Sequence, residues 1–366
     1  MQFSLLFRLL RPKFLPYSFI CHVLGAVYAH TVQASTISHH TTPWQSYPSS
    51  LPGDIGWTSS LPAPLPTLFA VLPPPSIVGQ VGLLQLTLST LHLAVHALNE
   101  VCDRDADRAN ANAGKWTGGS GVLRDNLLPV SLVLAVLALL LSASLWGGVA
   151  IVLAIMPQPH GSSLWQAIVA AATTGPSAHF IAVGLSTIVV GITYSLPPVR
   201  LSARGAGELA VAYVLAFAAP ACGLTAQGGR IDAAFVQAFA PLALINAARM
   251  YIMNVPDRAG DEAVGKRTSV VEMGSETTAT WLSVGLWTAH FAIAVPTIPM
   301  PPAMRLGYAV YLPVRLWSIY PLLRPQWWAT PETRDQVTRR ESFTVAGAAA
   351  CLLAVMCLHQ YHASLQ

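Results

Sequence analysis

Residues 127–156 read LLPVSLVLAVLALLLSASLWGGVAIVLAIM, thirty positions without one charged side chain. A helix crosses the hydrocarbon core of a bilayer with roughly 20 apolar residues. The run is too long for a strand and lacks period-2 alternation. Only a helix can satisfy its own backbone polar groups in lipid. This stretch therefore predicts a membrane-spanning helix, with Gly147–Gly148 as the one place where it is expected to break.

The same reading extends along the 366-residue chain. Apolar stretches of helical length recur at 14–32, 79–102, 127–156, 176–195, 207–227, 233–256, 278–298, 304–323 and 342–360. The predicted fold is all-α: an integral-membrane bundle of about nine helices around a central, polar-mouthed cavity, with residues 1–366 as a single domain. Composition agrees. Charged residues make up 10% of the chain, where a soluble domain carries roughly 25%. The mean hydropathy is +0.52. Too few charges remain to cover a water-soluble surface, and no Lys/Arg tract interleaved with aromatics suggests a nucleic-acid partner. The five cysteines are scattered, mostly through apolar runs, and read as buried thiols rather than a disulfide framework or zinc site.

With the amino terminus inside, 16 of the 20 basic residues fall on one side of the membrane. Arg230 and Arg305 fall on the other, and Arg249 and Arg315 lie within spans. The positive-inside rule then puts the segments 103–126 and 257–277 on the cytoplasmic side. Residues 33–78 contain no Lys or Arg and read as a long non-cytoplasmic loop, with Trp44 and Trp57 as interfacial contacts. Residues 1–34 also fit the template of a cleaved signal peptide. Removing them would leave an even number of spans and turn the acidic motifs to the other side, against the charge rule.

Those motifs carry the chemistry. Asn99, Asp103 and Asp107 are spaced four apart at the end of the second apolar stretch and share one helix face. Asn254, Asp257 and Asp261 end the sixth, followed by Gly265-Lys266-Arg267-Thr268. Ionisable groups at membrane helices are costly and usually functional. Two acidic stripes facing each other suit Mg²⁺, a hard cation preferring oxygen ligands, around a diphosphate. Lys266 and Arg267 add donors for its oxygens. Glu100 and Asp105 fall off the main stripe. His92 and His96 continue the Asn99–Asp103 face, either lining the pocket as proton acceptors or satisfied by neighbouring helices. Arg249, two turns before Asp257, faces a cavity or makes a structural hydrogen bond. The acidic pairs would also suit ion transport, but their place at helix ends, beside a Gly-Lys-Arg-Thr loop, favours phosphate.

Asn99-xxx-Asp103-xxx-Asp107 and Asp257-xxx-Asp261-xxx-Gly265-Lys266-Arg267-Thr268 resemble the two signatures of the UbiA superfamily of intramembrane prenyltransferases. Arg11-Pro12-Lys13-Phe14, Tyr194-Ser195-Leu196-Pro197-Pro198-Val199-Arg200-Leu201 and Gly205-Ala206-Gly207-Glu208-Leu209 resemble further family segments, and Thr117–Leu123 is similar to the menaquinone-type branch. The resemblance implies an isoprenyl diphosphate substrate, Mg²⁺ held by Asp103, Asp107, Asp257 and Asp261, and diphosphate contacts from Tyr194 and Arg200. Asn99 and Asn254 would complete the metal shell or orient a carboxylate. It implies prenyl transfer to an aromatic or related acceptor, or, as in UbiA-like terpene cyclases, intramolecular cyclisation. Two departures stand out: Asn99-Glu100 replaces the Asn-Asp with which many members begin, and the Arg-Thr-x-x-Arg-Pro element of the ubiquinone and haem branches is absent.

Overall fold

The computed structural model describes residues 2–33, 77–155, 169, 172, 173 and 175–364. The expected loop with Trp44 and Trp57 lies outside the described residues. The long helices are α1 (Gln2–Leu10), α2 (Leu15–Val32), α3 (Ile77–Cys102), then, after the short α4 (Arg104–Ala109), α5 (Val130–Ile155) and α6 (Gly175–Ser195). They continue as α7 (Gly207–Ala226) and α8 (Ala233–Asn254). The short α9 (Arg258–Ala263) and α10 (Ser269–Met273) precede α11 (Glu276–Thr297), α12 (Pro302–Ile319), α13 (Pro331–Ser342) and α14 (Thr344–Ser364). Among the described residues each of the nine apolar stretches contains a helix. Seven helical segments among the described residues are long and apolar enough to cross a membrane. The helices α2 and α12, at 18 residues each, fall outside that seven. The protein is an integral, multi-pass helical bundle.

The expected break at Gly147–Gly148 does not occur, and α5 runs through both residues. In lipid a broken helix would leave backbone groups without water to bond, so continuity is favoured even across two glycines. Gly147 instead lets α5 lie directly on Thr87 of α3. The most apolar helix, α5, is also among the least buried, and α7 is the most buried. Hydrophobicity here marks lipid-facing surface, and tight interhelical packing uses small residues. Gly25 of α2 shows why: a Cβ there would stand 1.8 Å from the Pro220 carbonyl oxygen of α7.

Neighbouring helices close into a ring in the order α2, α3, α5, α6, α7, α8, α11, α12 and α14, with α14 returning to α2. The main core lies where α2, α7, α8 and α14 meet, around Tyr28, Phe235, Phe239 and Leu352, all fully buried. One end of this ring carries the segments 103–126, 257–277 and α13 together. Arg334 of α13 donates to Asn112 Oδ1 at 3.1 Å, and Asp335 Oδ1 accepts from the Lys115 N–H at 3.3 Å. Among the described residues all five cysteines are free.

Candidate functional site

The polar mouth is built where α3 and α8 end. At Asp103 the helix bends into α4, but Asp103 N–H bonds Asn99 O at 2.8 Å and Asp107 N–H bonds Asp103 O at 2.8 Å. Helical register therefore survives the bend, and the Asn99–Asp103–Asp107 stripe stays on one face. On the other side Pro256, which has no N–H to give, stops α8 just beyond Asn254. The chain restarts at Asp257 as α9, with Asp261 N–H bonding Asp257 O at 2.9 Å. The loop then doubles back: Lys266 N–H donates to Asp261 O at 2.9 Å, which returns the Lys266 side chain toward the acids.

The two ends meet. Lys266 Nζ lies 3.1 Å from Asp103 Oδ2 and 3.3 Å from Asp261 Oδ1, bridging one motif to the other. Asn110, at the end of α4, donates to Asp257 Oδ1 at 2.7 Å, a second tie across the gap. Asn99 Nδ2 donates to Asp103 Oδ2 at 2.7 Å and to Ser195 Oγ at 3.1 Å. Arg200 stands 3.8 Å from Asp103 Oδ1, and Tyr194 sits within the field of Lys266, Asp103 and Asp261. Asn254 donates to Glu208 Oε1 at 2.9 Å.

Burial, then the neighbouring Glu100, Asp257 and Asp103, push the Asp107 carboxyl up to about 8. Burial and Asp261 raise Asp257 to about 7, against the opposing pull of Lys266 and the Asn110 hydrogen bond. Burial raises Asp261 to about 6, with Lys266 offsetting part of it. For Lys266 burial works against the ammonium, but Asp103 and Asp261 outweigh it and its pKa is raised. The site concentrates negative charge that the chain's own groups only partly neutralise.

Two predicted residues stand apart. The Arg267 side chain is 73% exposed and pairs with Glu272, and its backbone N–H donates to Ala203 O at 3.1 Å. Arg249 is buried deeper in the bundle, where its Nε donates to Asn246 Oδ1 at 2.9 Å. Its main electrostatic neighbours are Tyr17, Glu341 and Tyr194, none of them one of the four motif aspartates. His92 and His96 stack on each other at 4.9 Å, and Phe14 stacks on His96 at 5.4 Å. His92 Nδ1 and His96 Nε2 are buried without hydrogen-bond partners. With Tyr17, Trp116 and Phe343 these rings form an aromatic wall one turn above Asn99.

Sequence reasoning missed the groups that hold the ligand-type residues in place. Glu100, 2% exposed, accepts from both the N–H and the hydroxyl of Ser120 at 2.6 Å and pairs with Arg11 at 2.7 Å. It organises the glycine-bearing loop that backs Asp107. Gly119 in that loop has φ of +75°, and a Cβ there would stand 1.9 Å from Asp107 Oδ2. A carboxylate inside an apolar helix was the readable signal for Glu100. Nothing local marked Asn110 or Ser195, whose partners are 147 and 96 positions away.

The donor chemistry fits a hard divalent cation: four carboxylates gather at one mouth, and Asp103 Oδ1 is buried without a hydrogen-bond partner. Among the described residues no three His, Cys, Asp or Glu side chains converge closely enough to ligate one ion together. The Lys266 ammonium is the cation seated between Asp103 and Asp261, and Asn110 holds Asp257.

A helical membrane bundle whose second and sixth long apolar helices deliver paired acids to one mouth defines a class of intramembrane protein. The family model of the UbiA prenyltransferase family matches residues 162–347, half of the chain, and the chain belongs to that family. In fold it is similar to a UbiA homologue from Archaeoglobus fulgidus bound to DMAPP and Mg²⁺, at 16% identity and a TM-score of 0.53, covering 96% of this chain and 99% of the other. The same homologue bound to GPP and Mg²⁺ gives a TM-score of 0.51 at the same identity and coverage. Digeranylgeranylglyceryl phosphate synthase matches at 12% identity and a TM-score of 0.50, covering 97% of this chain and 99% of the other. No curated protein matches by sequence.

Proposed function

We propose that this chain is a Mg²⁺-dependent membrane enzyme that ionises an isoprenyl diphosphate at the α3–α8 mouth and transfers the prenyl group to an aromatic or related acceptor. The observation that carries this reading is the Lys266 bridge between Asp103 and Asp261. It joins two acid stripes, whose bridged members Asp103 and Asp261 are 158 positions apart, at one mouth. The allylic diphosphates and Mg²⁺ held by the archaeal homologue supply the substrate class.

Asp103, Asp107, Asp257 and Asp261 would hold Mg²⁺, with Asn99 and Asn254 orienting carboxylates. Held there, Mg²⁺ would supply charge neutralisation for a leaving diphosphate. Lys266, between Asp103 and Asp261, would donate to diphosphate oxygens at the same mouth. Arg200 and Tyr194 approach from α6 and its following loop and orient the head group. The aromatic wall of Phe14, Tyr17, His96, Trp116 and Phe343 excludes water that would otherwise trap the allylic cation. Its ring faces stabilise positive charge. The motif mouth faces the cytoplasm, an orientation supported by the 16 basic residues gathered at that end.

The cyclase reading is favoured by one observation, the absence of the Arg-Thr-x-x-Arg-Pro element after Asp107. Purified protein in lipid nanodiscs, given Mg²⁺ and prenyl diphosphates of several lengths with and without aromatic acceptors, separates the two by mass spectrometry of products. Prenylated acceptor, with little hydrocarbon in its absence, is the expected result. A cyclic hydrocarbon from the diphosphate alone overturns transfer in favour of cyclisation. Unchanged diphosphate release by Asp103→Ala and Asp257→Ala would remove the metal assignment.

A further inference from the structure

The same end of the bundle carries a second basic feature that the carboxylate mouth does not use. A cavity of about 380 Å³ opens between α12 and the α13–α14 junction, lined by Trp317, Ser318, Arg339, Arg340, Phe343 and Thr344, with Tyr311 and Val314 beneath. Arg340 packs its guanidinium over the Trp317 ring at 3.9 Å and donates to the Trp317 carbonyl oxygen at 2.7 Å. Arg339 is exposed. Arg324, exposed in the α12–α13 connection, follows directly on the exposed Tyr320 and Leu323 of the rim.

No carboxylate lies within ion-pairing distance of these three arginines; every ion pair among the described residues involves other cations. The neighbouring acid, Glu341, is fully buried and engaged by Arg315. Ser318 and Thr344, on the groove floor, accept from that same Arg315 at 3.0 and 3.3 Å. The rim is apolar and open: Trp317 is 60% exposed, Tyr320 64%, Leu323 53% and Phe343 47%. Exposed Trp and Tyr beside arginines at a helix end mark the depth of lipid head groups. Behind the groove, Phe343 stands against Trp116 at 5.4 Å and Tyr17 at 6.4 Å, so the aromatic wall separates it from the acidic mouth.

From this geometry we infer that the α12–α13–α14 groove binds the phosphodiester head of an anionic membrane phospholipid, with Arg324, Arg339 and Arg340 on the phosphate and the acyl chains along the exposed face of α12. Arginine's planar fork suits phosphate oxygens, and basic pockets between membrane helices select anionic heads. The absence of acids argues for a phosphodiester over a metal-dressed diphosphate, because nothing in the groove could share a divalent cation with the ligand. The apolar rim argues for a lipid over a free anion. The inference stands apart from the transferase reading and survives its failure.

The test is retention of dioleoyl phosphatidylglycerol against dioleoyl phosphatidylcholine by the full chain in mixed micelles, read by native mass spectrometry and by thermal unfolding. The expected result is selective retention of phosphatidylglycerol with a rise in unfolding temperature. Arg339→Gln, which breaks no contact in the fold, should weaken retention about fivefold, and adding Arg324→Gln should weaken it about fivefold again. Arg339→Lys should keep most of it. Equal retention of both lipids, or an unaltered Arg339→Gln protein, overturns the inference. Inorganic phosphate competing as well as the lipid would make this a free-anion site. Retention of geranyl diphosphate but not phosphatidylglycerol would make it a substrate groove. Either result also overturns the assignment.

Discussion

The Lys266 ammonium sits 3.1 Å from Asp103 Oδ2, joining the loop after α8 to the end of α3 across 163 positions of sequence. Both side chains are about nine-tenths buried, so neither is screened as a surface pair would be. A lysine seated between two acids ties the two motif segments together, and an ammonium has three N–H donors of which these two contacts engage no more than two.

Lys266→Met should therefore cost more in turnover than in folding. Diphosphate release is expected to fall about 10²-fold, the scale of losing one charged donor to a transition state. Steady-state release of pyrophosphate, set beside thermal unfolding in the same detergent, checks this. A variant that turns over normally removes Lys266 from the chemistry.

The acids predict opposite pH trends with and without metal. Asp107, Asp257 and Asp261 have folded-state values raised to about 8, 7 and 6 from an ordinary 3.8. For raised carboxyls the stabilising contribution is complete below the unfolded value and is lost as pH rises through the folded ones. Metal-free protein should lose thermal stability between about pH 4 and about pH 8. Mg²⁺ needs the deprotonated acids, so its apparent affinity should rise over that window. Unfolding scans with EDTA and with Mg²⁺ should diverge as pH rises.

Gly119→Ala tests the loop that backs Asp107. A Cβ there would meet Asp107 Oδ2 at 1.9 Å from a backbone already at φ of +75°. The expected cost is about 1–3 kcal/mol, with loss of metal-dependent activity as Asp107 is displaced. Gly148→Ala, where a Cβ meets nothing within 4 Å, should leave both unaltered. The two variants compared by thermal unfolding and pyrophosphate release decide the point.

Deep between α12 and the α13–α14 junction, Arg315 and Glu341 are both fully buried and paired, with the Arg315 guanidinium 3.5 Å from the Trp287 ring. Glu341→Ala would strand a buried charge and should destabilise by about 3–5 kcal/mol. The double change Arg315→Met with Glu341→Leu should cost less than the single one. Chemical denaturation in detergent, with the two variants beside the unaltered protein, measures the difference.

Much of the architecture was legible because a membrane imposes a single backbone solution. Every long apolar run became a helix, and only the break at Gly147–Gly148 failed, since lipid penalises an open backbone more than glycine weakens a helix. The acid stripes were legible as well, because carboxylates four apart in an apolar context leave few structural explanations. Arg267 shows the limit. Its neighbour Lys266 turns into the site while Arg267 turns out to Glu272, and nothing in the spacing of two adjacent cations tells them apart.

From the chain alone came a helical membrane protein and the two acidic stripes, because periodicity, hydropathy and spacing are local properties; the resemblance of those motifs to the UbiA superfamily added the expected substrate class. Which residues steady those acids was a tertiary outcome. Asn110 on Asp257, Ser195 on Asn99 and Glu100 on Ser120 are partners brought together by helix crossing, and the groove of Arg339 and Arg340 exists only where α12 meets the α13–α14 junction. Long-range contacts of this kind carry no periodic signature, so they appear only once the packed bundle has fixed which faces meet.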